Sequence, residues 1–182
     1  MAQHNENQFE AELCQHLEAN GWHYSPNDDG YDRQRALYPD DVFAWLEETQ
    51  PDELAKRIKP GMSPEAIKKA KDAILTRLAK VLDTGQPSGG TLHVLRHGFK
   101  DTPATFTMMQ KRPELAGNAT TQKRYAANRV RIMRQVHYST KNNNSLDLVL
   151  FVNGVPVATA ELKTDFTQSV QHAKVQYMHD RK

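Results

Sequence analysis

The chain has 182 residues, 38% hydrophobic and 25% charged, a length that suits one domain with at most a small annex and needs no covalent staples. The lone cysteine, Cys14, excludes an internal disulfide, and the longest apolar run, Leu148 to Val152, falls far short of the roughly 20 residues of a membrane span. The polar start, Met1 to Glu10, has no secretory signature, so a cytoplasmic protein with no membrane partner is expected.

The formal net charge is +2, but it is unevenly spread. Residues 1–55 hold 2 Lys/Arg and 13 Asp/Glu, residues 56–141 hold 18 and 5, and residues 142–182 hold 4 and 4. A basic middle third suggests a polyanion partner, or a basic face lying against acids of the same chain.

In chain order, the first helix is expected over residues 5–19, with Phe9, Leu13 and Leu17 on one stripe and Gly21 as its stop. Glu6 falls on that stripe and Glu10 at its edge, where an acid needs exposure or a partner. Asn27 to Tyr31 reads as a loop. Asp40 reads as the N-cap of a helix to about Thr49, Pro51 starts a short helix, and Ser63-Pro64 starts another that continues to about Leu82. These make a helical insertion at about 39–83. Gly85 to Gly90 is a flexible loop. Thr91 to Leu95 and Ala104 to Met108 are expected to be short strands, and a helical turn lies near Tyr125. Asn128 to Tyr138 is a strand with Val130, Ile132, Val136 and Tyr138 on one face. Leu146 to Val152 is a strand, Asn153-Gly154 a two-residue hairpin turn, Val155 to Lys163 the returning strand, and Gln168 to about Asp180 a helix.

The informative feature is Asp147 within Leu146-Asp147-Leu148-Val149-Leu150-Phe151-Val152. An acid in an apolar strand costs several kcal/mol unless a cation or hydrogen bonds compensate it. Across the turn sits Glu161-Leu162-Lys163. Alternation along a strand sends Glu161 and Lys163 to one face and Leu162 into the opposite layer, and the hairpin can bring Asp147 beside them. Two carboxylates and an ammonium on one patch suit phosphodiester hydrolysis. The acids hold a hard divalent cation, which polarises the phosphate and acidifies a water, and the lysine steadies the developing charge. A Glu-x-Lys triplet alone is weak; the facing Asp, the tight hairpin and the following helix strengthen it. A cross-strand charge cluster on a solvated face is the bland alternative, disfavoured because Leu146 to Val152 is apolar on both faces.

Asp147 with Glu161-Leu162-Lys163 resembles the signature of the PD-(D/E)xK nuclease superfamily. The stretch Asp147 to Val157 followed by Glu161-Leu162-Lys163-Thr164 is similar to the N-terminal nuclease domain of type I restriction enzyme R subunits. Phe9-Glu10, Leu17 to Trp22, Asp32-Arg33, Asn128-Arg129 and Arg134-Gln135-Val136 add to the resemblance. It implies a restriction-endonuclease-like α/β (α+β) fold, a mixed central sheet flanked by helices, with a catalytic core at about 128–182. It implies a Mg²⁺-dependent endonuclease acting on double-stranded DNA, with Mn²⁺ able to substitute. Methyltransferase and specificity subunits would be partners, and ATP would be consumed by a translocase beyond this chain. Asp147, Glu161 and the Leu162 carbonyl would be metal ligands, Lys163 the catalytic lysine, and Glu6 or Glu10 a nearby helix acid. The family's Gln-x-x-x-Tyr element is only partly matched: Tyr177 fits, but Ala173 stands four before it, with Gln171 and Gln176 off the spacing.

The core's last strand would follow Lys182, and no phosphate-binding loop is present, so the chain reads as an N-terminal piece of a longer polypeptide. Lys123, Arg124, Arg129, Arg131 and Arg134 are candidates for DNA phosphates. His93 and His97 in a strand would lie about 13 Å apart, too far for one metal. Cys14 is a core residue, and His172 and His179 are surface residues. The other readings are a DNA-binding or subunit-docking module without cleavage, and a stand-alone repair nuclease of the same superfamily.

Overall fold

In the computed structural model, residues 2–85, 87–114, 118–162 and 178 are described, with side chains from Asn7 onward. Lys163, Tyr177 and the helix expected over 168–180 lie outside the described residues. The chain divides into two compact units. One holds the residues up to Asp29, Val130–Leu150 and those from Ala158. The other holds Gly30–Arg129 and Phe151–Val157.

The first unit begins with α1 (Ala2–Ala19) and β1 (His23–Ser25), and continues with β4 (Val130–His137). The strand β5 (Ser145–Val152) and its return β6 (Val155–Ala160) each pass between the units along the chain. Among the described residues these form a four-stranded mixed sheet of order β1-β4-β5-β6, the α/β architecture expected. The three-residue β1 pairs parallel with β4, setting Tyr24 beside Ile132 and Ser25 beside Met133. Cys14, Ile132 and Leu148 form the buried cluster of this unit, with Leu13, Leu17, Trp22, Tyr24, Leu150, Ala160 and Leu162 around it. Phe9 does not join them and is 56% exposed. The buried face of α1 instead runs through Glu10 and Cys14, one turn apart, beside Leu13 and Leu17. Burial pushes the Cys14 thiol above its ordinary pKa, as fits a core residue.

The second unit carries the helical segment. It comprises α2 (Pro39–Thr49), α3 (Pro51–Ala55), α4 (Pro64–Leu82) and α5 (Thr91–His97), the hairpin β2 (Phe99–Asp101) and β3 (Ala104–Phe106), and α6 (Ala119–Ala126). Asp40 is not the cap of α2. Pro39 takes the first helical position, where its missing N–H costs nothing, and Tyr38 is the N-cap. The Ser63 hydroxyl caps α4 by accepting from Ala66 N–H. Thr91 to Leu95 is a helix rather than the expected strand. Gly90 and Gly98, both at positive φ, bracket α5, and Val94 alone of it is buried. A Cβ on Gly98 would run into the Phe106 carbonyl. The core here is Leu37, Val42, Trp45, Leu46, Ile74, Leu78, Val94, Phe106, Met108 and Val155, all fully buried. Among the described residues no helix is long and apolar enough to cross a membrane.

The Asn153-Gly154 turn forms as expected, with both residues at positive φ (49° and 79°). Unlike most such turns it is buried. Asn153 is 0% exposed, and its side-chain carbonyl accepts from Arg129 N–H (2.7 Å) while its amide donates to the Met108 carbonyl (2.9 Å) and Asn128 Oδ1 (3.0 Å). The Gly154 carbonyl accepts from Tyr38 N–H (2.9 Å), and a Cβ on Gly154 would collide with Tyr38 and Val42 at the start of α2. Asn153→Ala should therefore lower unfolding stability by about 2–4 kcal/mol, since each buried partner left unpaired costs about 1–3 kcal/mol. Urea unfolding monitored by circular dichroism measures it; a change under 0.5 kcal/mol, about the effect of an ordinary surface substitution, would contradict this account.

Candidate functional site

β5 carries Asp147 out of an otherwise apolar strand, and β6 returns past it. A two-residue turn joins the two strands, and β6 ends at Ala160. The returning strand therefore stops before the Glu161-Leu162 pair, three residues earlier than expected. Side chains continue the pairing from there. Leu162 N–H donates to Asp147 Oδ2 (2.8 Å), and Asp147 N–H donates to Glu161 Oε1 (3.4 Å). Leu148 and Leu162 enter the Cys14 cluster, so Asp147 and Glu161 turn away from it together. Both acids are half-buried. Among the described residues no third His, Cys, Asp or Glu joins them as a metal group.

The first-helix acid is committed elsewhere. Glu10 is only 3% exposed and grips Arg134 with both oxygens: Arg134 Nε to Oε1 is 2.7 Å and Nη2 to Oε2 is 3.1 Å. Arg134 Nη1 also donates to the Tyr24 hydroxyl (3.3 Å). The Glu10 carboxylate first, and then Tyr24, hold the Arg134 guanidinium above its ordinary pKa against the effect of burial. The expectation of Glu10 beside a metal thus becomes an ion pair that lets an acid sit on the buried face of α1. The side chain of Glu6 lies outside the described residues.

The same pairing revises the candidate phosphate contacts. Arg134 is held by Glu10. Arg129 Nε sits 2.9 Å from the Oδ1 of Asp41, which is 1% exposed in the first turn of α2. Arg131 Nη1 donates to Ser25 Oγ (2.8 Å). Arg124 Nη2 donates to Thr107 Oγ1 (2.8 Å), and Lys123 is exposed. In the second unit Lys71 pairs with Glu47 (2.9 Å) and lies over the Phe43 ring. Part of the charge split is thereby neutralised within the chain. His93 and His97, expected to be far apart, sit one turn apart on α5 with ring centroids 5.0 Å apart.

A residue pair that sequence reading missed is Asp28 with His137. The His137 backbone N–H (3.2 Å) and ring Nδ1 (2.9 Å) both meet Asp28 Oδ2. Burial acts to raise the Asp28 pKa, but these bonds outweigh it and hold the carboxyl below its ordinary value.

A family model described as type I restriction enzyme R protein N terminus matches residues 3–182. The chain belongs to that family. No curated protein and no solved structure matches it. As an R-protein N terminus it is part of a restriction system.

Glu10→Ala in this R-protein domain should cost about 2–4 kcal/mol. Removing one partner of a buried pair typically costs about 3–5 kcal/mol, and the Arg134 side chain keeps 24% exposure, which softens the loss. Glu10→Leu combined with Arg134→Leu should recover most of it. Urea unfolding of the two single variants and the double variant is the measurement, and purely additive losses would show the pair to be uncoupled.

Proposed function

We propose that this chain is the Mg²⁺-dependent endonuclease part of a type I restriction enzyme R subunit, cutting double-stranded DNA. The observation that carries this reading is the interlock of Asp147 and Glu161 at the end of the hairpin. Each of the two half-buried acids accepts from a backbone N–H at or next to the other acid. Their donor set fits the ion: Mg²⁺ takes oxygen ligands and is often held by one or two carboxylates plus substrate phosphate. Among the described residues Asp147 is engaged through Oδ2, which leaves Oδ1 for a ligand role.

When bound, such a cation polarises the scissile phosphate and makes a water acidic enough to attack it. Asp147 and Glu161 would hold it, with the Leu162 carbonyl as a third donor by the family resemblance, and Mn²⁺ would substitute. The Leu162 N–H bond fixes the Asp147 carboxylate so that it does not need to reorganise. Lys163, two residues beyond Glu161, would orient the water and steady negative charge on the phosphate. DNA is the substrate, ATP is consumed by other parts of the enzyme, and the methyltransferase and specificity subunits supply modification and recognition. A second reading has one observation in its favour: both acids already bond backbone N–H groups, as acids that merely close a sheet would. On that reading the chain docks or binds DNA without cutting.

In the assembled enzyme, Glu161→Ala and Lys163→Ala should each reduce plasmid cleavage by at least about 10²-fold, the scale of losing one electrostatic contributor to a transition state. ATP hydrolysis should persist in both. Plasmid linearisation and ATP turnover on the same preparations check this. Cleavage at the wild-type rate by Glu161→Ala would favour the docking reading, whereas joint loss of both activities would indicate misfolding.

A further inference from the structure

The face of α6 has not been absorbed by the acid pair. No residue within α6 is buried, and its start is tied down by the Asn118 side chain accepting from Thr121 N–H (3.1 Å). Thr120, Lys123, Arg124 and Ala127 recur at i, i+3, i+4 and i+7, which is one helical face. Together with Glu48 and Thr49 they line a cavity of about 200 Å³ within the second unit.

The polar groups of this cavity do not balance. Arg124 is anchored at Nη2 by Thr107, yet its Nε–H is enclosed and has no hydrogen-bond partner among the described residues. An enclosed donor without an acceptor costs about 1–3 kcal/mol. Lys123 makes no ion pair among the described residues and is exposed. The Thr49 hydroxyl is already spent on the Trp45 carbonyl (2.7 Å). The groups left to a ligand are therefore a guanidinium, an ammonium and the Thr120 hydroxyl, with one opposing acid, Glu48.

We infer that this cavity is a clamp for a single phosphodiester of a nucleic-acid backbone. Two cations and a hydroxyl call for an oxyanion. Glu48 repels a dianionic free phosphate more than a singly charged diester, which favours the backbone as the source. Tyr125, 43% exposed on the same helix, offers a ring to a neighbouring sugar or base. The clamp rests on the DNA substrate proposed above but uses none of the residues of the acid pair.

The test is duplex binding by the full chain in EDTA, where nothing is cut, followed by fluorescence anisotropy across a salt series. Lys123→Gln should weaken binding several-fold and reduce the log–log salt slope by about 1, the loss of one phosphate contact. Arg124→Gln should do the same or more. Glu48→Gln should tighten binding, and millimolar inorganic phosphate should not displace the duplex. Lys123 and Glu48 are exposed, so their variants read the clamp even if Arg124→Gln impairs folding. Unchanged affinity and slope in both surface variants, no duplex binding at low salt, or ready displacement by inorganic phosphate would each overturn the clamp. Asp147→Asn separates the two ideas. It should lose cleavage in the assembled enzyme while the chain binds duplex in EDTA as before. Effects of Lys123 and Glu48 without any cleavage would leave the clamp standing and remove the nuclease reading. Normal cleavage with wild-type binding by both surface variants would do the reverse.

Discussion

The Asn153-Gly154 turn is the constraint on which the rest depends. Both residues adopt positive φ, which few side chains tolerate, and Asn153 supplies three hydrogen bonds from a site with no solvent access. These bonds hold Met108, Asn128 and Arg129, while Gly154 accepts from Tyr38, the N-cap of α2. A turn locked this firmly cannot slip in register. A shift of one residue would send every side chain of β5 and β6 to the wrong face.

The acid pair extends the hairpin with side chains. β6 ends at Ala160, and the carboxylates take over the hydrogen bonds that the backbone ladder no longer makes. A carboxylate that accepts a backbone N–H is fixed before any ligand arrives. Preorganisation of this kind is what a charged site in partly buried surroundings needs. It also offsets the penalty of setting an acid in an apolar strand.

Charge is handled by specific partners in each unit. Glu10 and Arg134 form a two-point pair in one; Asp41 with Arg129 and Glu47 with Lys71 form pairs in the other. Each joins an acid of the first 55 residues to a base of the middle third. Not all of the basic surplus is paired in this way: Lys123 on α6 is exposed and makes no ion pair among the described residues.

Much of this was legible in the sequence because it is local. The Asn-Gly turn, the Ser63-Pro64 helix start, the apolar run around Asp147 and the Glu-x-Lys triplet are written in adjacent residues, and they sufficed for the α/β class, the nearness of Asp147 to Glu161 and the family. Other features depended on contacts between distant segments. Thr91 to Leu95 carries strand-forming residues, but Gly90 and Gly98 and the burial of Val94 make it a helix, which also brings His93 and His97 together. Phe9 fitted an apolar stripe, yet Glu10 is the buried residue, since Arg134, 124 positions away, neutralises it. Three-residue strands such as β1 and β2 have too little pattern to be read locally and exist because a partner strand pairs with them. The sequence by itself determined which residues want which backbone geometry and which side chains can do chemistry. Only the tertiary structure decided which acids are taken up by buried ion pairs and which accept backbone N–H groups at the end of the hairpin. That choice depends on the free energy of desolvating a charge, and this is set by neighbours that only folding brings near.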